Sequence, residues 1–117
     1  MENVINDKSF QFGVRVLKTV RKLRKDSGEY EIASQLLRSG TSIGANVSEA
    51  QYAQSKRDFA SKMAIARKEA NETKYWLQLL AAAEILPEAA ARELIGEVTE
   101  IVRILTAIIK TAIDTEK

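Results

Sequence analysis

Apolar residues recur along this chain in alternating steps of three and four. Ala33, Leu36, Gly40, Ile43, Val47 and Ala50 make one such row, and Phe59, Met63, Ala66, Ala70, Thr73, Leu77 and Leu80 a second. Leu94, Val98, Ile101, Leu105, Ile108 and Ala112 make a third, shadowed one residue on by Ile95, Val102 and Ile109. This spacing keeps one face of an α-helix apolar. No segment shows the period-two alternation of a half-buried strand. The pattern predicts helices over about 8–26, 30–53, 55–84 and 87–114. Local signals agree: Asp26-Ser27-Gly28 closes the first helix, with Gly28 just past its end. Ser55-Lys56-Arg57-Asp58 reads as a capping box with Asp in place of the usual Glu or Gln, and Pro87 suits the first turn of the fourth helix.

Steps of four and three favour crossing angles near about +20°, and short connections make sequential helices antiparallel neighbours. The expected fold is all-α, an antiparallel up-down-up-down four-helix bundle, with residues 1–117 forming a single domain. Helix 1 is wider than that fold needs. Phe12, Leu23, Val16, Val20, Gly13, Leu17, Phe10 and Val14 span an arc of about 200°, where a bundle stripe is a little over 100°. Helix 4, with its two rows, covers a similar half-circle. Either the flanking apolar residues broaden one core, or one edge of these helices is buried against another subunit; the width favours self-association.

Composition then narrows the chemistry. Of 117 residues 45% are hydrophobic and 29% charged, an ordinary balance for a folded soluble protein. There is no cysteine, hence no disulfide framework or thiolate metal site, and no histidine, the commonest general base and metal ligand. No metal and no cofactor are expected. The start, MENVINDKSF, lacks the basic and apolar regions of a signal peptide, and no apolar run approaches the ~20 residues of a membrane span. A cytoplasmic protein is the expectation.

The run from Arg38 to Ala50, RSGTSIGANVSEA, keeps helical spacing yet carries Gly40, Gly44, hydroxyls and Asn46. Each glycine costs a helix about 1 kcal/mol relative to Ala, and Ser, Thr and Asn compete for backbone hydrogen bonds. Close helix approach or a polar network offsets such a cost. Arg38, Ser42 and Glu49 fall near one another on the helical wheel, with Gln35, Asn46 and Ser39 alongside, and Glu72 of helix 3 within reach of an antiparallel neighbour. The expected network is structural, with Arg38 half buried and paired to Glu49 or Glu72. Catalysis would need a nucleophile with its base, or paired carboxylates in a cleft. Ser42 has no histidine and no lysine at helical spacing, so the chain is not expected to be an enzyme.

Charge is unevenly placed. Residues 1–26 hold seven basic and three acidic residues, and the segments 27–53, 54–86 and 87–117 carry net −2, +2 and −2, giving the overall +2. Arg15, Lys18, Lys22 and Lys25 line one side of helix 1 opposite its apolar arc, with Arg21 and Arg24 nearer the margin. Lys56, Arg57 and Lys62 add positive charge at the start of helix 3. Such a stripe can follow phosphates; a solvated outer face has the same composition.

The runs Gln35-Leu36-Leu37-Arg38-Ser39 and Thr41 to Ala50 resemble a bacterial four-helix-bundle family, the proteins encoded in intervening sequences of 23S ribosomal RNA genes. The likeness continues through Ser55-Lys56-Arg57-Asp58-Phe59 and Ile65 to Leu77, and extends from Phe10 to about Leu105. Gly40 departs from the family's more usual Ala, and the N-terminus is slightly extended. The resemblance implies a ring-like homo-oligomer, a homopentamer, of up-down bundles. The accessory proteins of diversity-generating retroelements are more distantly similar, and they imply RNA or DNA binding through a basic surface and association with a reverse transcriptase. No catalytic residues carry over; Arg38, Asn46, Glu49 and Glu72 carry over as motif positions only. The two functions to weigh are a nucleic-acid-binding accessory protein using Arg15, Lys18, Lys22 and Lys25, and a scaffold that holds a partner enzyme.

Overall fold

The computed structural model describes residues 4–116 as four helices: α1 (Val4–Ser27), α2 (Glu31–Ala50), α3 (Lys56–Ala82) and α4 (Glu88–Glu116). They pack antiparallel in sequence order into a rod of 49 × 22 × 20 Å. Each helix packs closely on the next, and the α1–α4 seam that closes the bundle is the least extensive of the helix contacts. Among the described residues no strand occurs.

The spaced rows are the core, except at the C-terminal end of α4, where Ile109 is the buried position and Ile108 and Ala112 are half-buried. Every position of the α2 row is buried, and so is the α3 row except for half-buried Phe59. α1 contributes Ile5, Phe12, Val16, Val20 and Leu23, and α4 contributes Leu94, Val98, Ile101, Leu105 and Ile109. Helix 1 starts earlier than its apolar pattern indicates, because Ile5 and Ser9 continue the buried stripe and Ser9 donates to the Asn6 carbonyl at 3.2 Å. The second α4 row is not an open edge: Ile109 is buried, and Ile95 and Val102 pack against the core. On α1 the surplus does stay exposed, Phe10 at 65% and Leu17 at 43%.

The helix ends follow the local chemistry. Gly28 takes φ +73 after α1. α2 stops at Ala50, before the expected 53, and Gln51 to Ala53 turn back onto its last carbonyls. At α3 the Ser55 Oγ accepts from the Asp58 N–H at 3.0 Å, as a capping box requires. The reciprocal bond shifts by one residue: Asp58 Oδ2 accepts from the Gln54 N–H at 3.2 Å, not from Ser55. The turn into α4 places Glu84 at φ 61, with the Ile85 and Leu86 N–H groups both donating to the Leu80 carbonyl. The Pro87 carbonyl accepts the first bond of α4, from Ala91.

The two glycines of the α2 motif mark where α1 comes close. A β-carbon on Gly40 would stand 2.8 Å from Val16 Cγ1, and one on Gly44 would stand 3.2 Å from the Ser9 carbonyl oxygen. The buried α2–α3 link is the hydroxyl pair Ser39 and Thr73, 2.9 Å apart.

Candidate nucleic-acid interface

The basic residues of α1 sort by the side they face. Towards α4, Arg15 Nη1 lies 2.7 Å from Glu97 Oε2 and 3.9 Å from Glu93 Oε2, and Lys8 Nζ lies 3.4 Å from Glu100 Oε1. The acidic row of α4 thus neutralises the N-terminal half of α1. Burial holds the Glu97 carboxyl above its ordinary range, with Arg15 pulling the other way. Arg15 is therefore a strut across the α1–α4 seam and not part of an open basic stripe, because the acids of α4 lie beside it.

The C-terminal half of α1 is different. Lys18, Lys22 and Lys25 are exposed, as is Arg21. Lys22 donates to Asp26 Oδ2 at 2.9 Å, which raises its pKa by hydrogen bond and charge. Lys18, Arg21 and Lys25 make no ion pair among the described residues. Towards α2, Arg24 Nη2 donates to Ser34 Oγ at 2.8 Å, and its guanidinium lies 5.6 Å from the centroid of the Tyr30 ring. Residues 18–26 present five cations and one acid on the last three turns of a helix.

The motif residues of α2 do not form the expected inter-helix network. Arg38 is exposed, and its Nη2 donates to Gln35 Oε1 at 2.9 Å, one turn back on the same helix. Ser42 donates to the Arg38 carbonyl at 2.7 Å and Asn46 to the Ser42 carbonyl at 2.8 Å. Glu49 is exposed and Glu72 half-buried, and neither pairs with Arg38. The reason is angular: at 100° per residue Arg38 stands about 140–180° from Leu36, Ile43 and Val47, on the side facing away from the core. The polar link that does cross between helices, Ser39 to Thr73, sits within the buried rows. Hydroxyls at core positions of both helices were its visible signal.

Among the described residues no group of acids could hold a metal ion, and no helix is long and apolar enough to cross a membrane. What the surface offers is a basic helix end beside the exposed ring of Tyr30.

The fold is that of an all-α four-helix up-down bundle. The chain belongs to the 23S rRNA-intervening sequence protein family, whose model matches residues 1–107. It is similar to a protein of unknown function from the S23 ribosomal protein family of Bacteroides thetaiotaomicron VPI-5482, known from a crystal structure at 1.70 Å resolution. The two share 46% identity and superpose with a TM-score of 0.90, covering 92% of this chain and 99% of that one. Comparison with the curated proteins returns no match.

Proposed function

We propose that this protein is a non-enzymatic RNA-binding bundle that acts as an oligomer, with the C-terminal half of α1 meeting the phosphate backbone. The observation that carries the reading is the sorting of cations along α1. Lys8 and Arg15 are matched by carboxylates of α4, whereas Lys18, Arg21 and Lys25 are exposed and have no carboxylate partner among the described residues. Unmatched cations clustered on one helix end attract a polyanion and are not needed to hold the bundle together.

Oligomerisation accounts for Phe10 and Leu17, two turns apart on the exposed side of α1. A homopentamer, the state implied by resemblance, would repeat the basic helix end five times and add avidity without new contacts. Light scattering should give a mass several times the 13.0 kDa of one chain.

The function is tested by a gel shift with structured RNA at low salt, comparing the parent with Lys18→Glu/Lys25→Glu. The double variant should lose most binding to all sequences alike while keeping its helix content and mass. Equal binding by both proteins would reduce the basic end to a solvated face. Absence of binding by the parent would favour the scaffold reading, in which the bundle holds a partner enzyme such as a reverse transcriptase.

A further inference from the structure

We propose that Tyr30, backed by Arg24 and neighboured by Trp76, is a stacking site for an unpaired base of a single-stranded nucleic acid. The proposal rests on the nucleic-acid reading above and names the form of strand it recognises.

Tyr30 lies between α1 and α2 and is 60% exposed, although its ring contributes nothing to the core. The ring is nevertheless held. Arg24 lies over it at 5.6 Å, Ser34 Oγ accepts from Arg24 at 2.8 Å, and the same hydroxyl donates to the Tyr30 carbonyl at 2.7 Å. One hydroxyl thus ties the cation and the backbone of the aromatic residue together. A guanidinium, an aromatic ring and a nucleobase are the three planar groups that stack on one another in single-strand recognition. Two of the three are already in place.

Beside Tyr30 is an open cleft of about 570 Å³ whose lining includes Ile32, Gln35 and Trp76. Trp76 is half-buried, packed edge-on to Tyr75 with ring centroids 5.1 Å apart, and its Nε1 is buried with no hydrogen-bond partner among the described residues. An aromatic and aliphatic lining suits a flat, weakly polar ring. Gln35 accepts from Arg38 through Oε1, which orients its amide nitrogen as the remaining donor for a base carbonyl.

Charge sets the direction of the strand. Glu31 also lines the cleft, and Glu29 Oε2 accepts from the Ile32 N–H at 2.7 Å, so phosphates are repelled from this rim. A neutral base is not repelled. Arg21 and Lys25, one turn before and one residue after Arg24, offer the unmatched cations for the backbone, and Arg38 offers another from α2. In a duplex the faces of the bases are covered by their neighbours, so this site selects unpaired bases.

The chain has a single tryptophan, and it stands in the cleft, so its emission reports on the site. The test titrates the full chain with oligouridylate, oligothymidylate and a short RNA duplex. Anisotropy of end-labelled strands measures total binding, and Trp76 emission with unlabelled strands measures occupancy of the cleft. Both single strands should quench Trp76 and the duplex should not. Tyr30→Ala should weaken single-strand binding about five- to a hundredfold, the usual loss for one stacked base. Tyr30→Phe should bind like the parent, and circular dichroism should show both variants equally helical. Single-strand binding with unchanged Trp76 emission, or undiminished by Tyr30→Ala, would overturn the site and leave nucleic-acid binding intact. Absence of binding by any strand at low salt would instead remove the reading on which the site rests.

Discussion

Val16 of α1 fills the space that a side chain on Gly40 of α2 would occupy. Its Cγ1 and Cγ2 lie 2.8 and 2.9 Å from the position of a Gly40 β-carbon. The glycine cost of the α2 motif is thus offset by close packing of two helices, since a branched side chain seats directly on the backbone of its neighbour.

Gly40→Ala should therefore destabilise the protein, in spite of alanine's better helix propensity. Overpacking costs about 1–3 kcal/mol and the propensity gain returns about 1. Adding Val16→Ala removes both clashing methyls, so the double variant should be more stable than the sum of the two single effects by over about 1 kcal/mol. Urea denaturation of the three variants measures this, and strict additivity would contradict it.

The Ser39–Thr73 pair behaves differently, because it is polar and buried at 1% and 0% exposure. Thr73 Oγ1 also bonds the Glu69 carbonyl at 2.7 Å, whereas Ser39 has only the Leu36 carbonyl at 3.5 Å besides Thr73. Thr73→Val should leave the Ser39 hydroxyl nearly unsatisfied, at a cost of about 1–3 kcal/mol. Ser39→Ala/Thr73→Val should recover part of that loss in thermal melts, since replacing both partners leaves nothing orphaned. A double variant worse than Thr73→Val alone would contradict the pair's role.

Glu84 holds a left-handed conformation, φ 61, that L side chains adopt at a cost of roughly 1 kcal/mol or more. It is exposed. Glu84→Gly should raise stability by about 0.5–1 kcal/mol, measured as a higher denaturant midpoint with unchanged slope. A lower midpoint would mean that the turn depends on the glutamate itself.

Asp58 links the start of α3 to pH. The Gln54 N–H first, and the Lys62 ammonium after it, hold its carboxyl below the ordinary aspartate range. A lowered folded-state pKa contributes stability that is present above the unfolded value and lost as pH falls through the folded one. Asp58→Asn should lower the melting temperature at neutral pH, and the gap to the parent should close on acidification below the usual carboxylate range. A gap that stays constant with pH would assign the effect to shape and not to charge.

Much of the architecture was legible because it is periodic. The α2 and α3 rows, the Ser55 cap and the Gly28 stop each needed only neighbours a few residues away. What was not legible depends on which helix lies beside which. Arg15 matches the basic stripe of α1 until α4 brings Glu97 to it. Ile95 and Val102 look like surplus apolar surface until they meet the core. Ser9 is a polar residue in a buried stripe, which hides how early α1 begins, and Ser39 groups with the polar residues on the wheel until α3 brings Thr73 to it. Arg38 is exposed for a simpler reason: its angle on the helix points outward, and its small neighbours do not change that.

The central claim, that the C-terminal half of α1 binds nucleic acid through phosphates, is tested most directly by affinity for RNA as a function of salt. The logarithm of the binding constant should fall linearly with the logarithm of salt, with a slope of about −0.7 per phosphate contacted on a single strand. Lys18→Glu/Lys25→Glu should flatten that slope by more than about one unit while weakening binding to every sequence. A parent slope near zero, or an identical slope in the variant, would contradict the account.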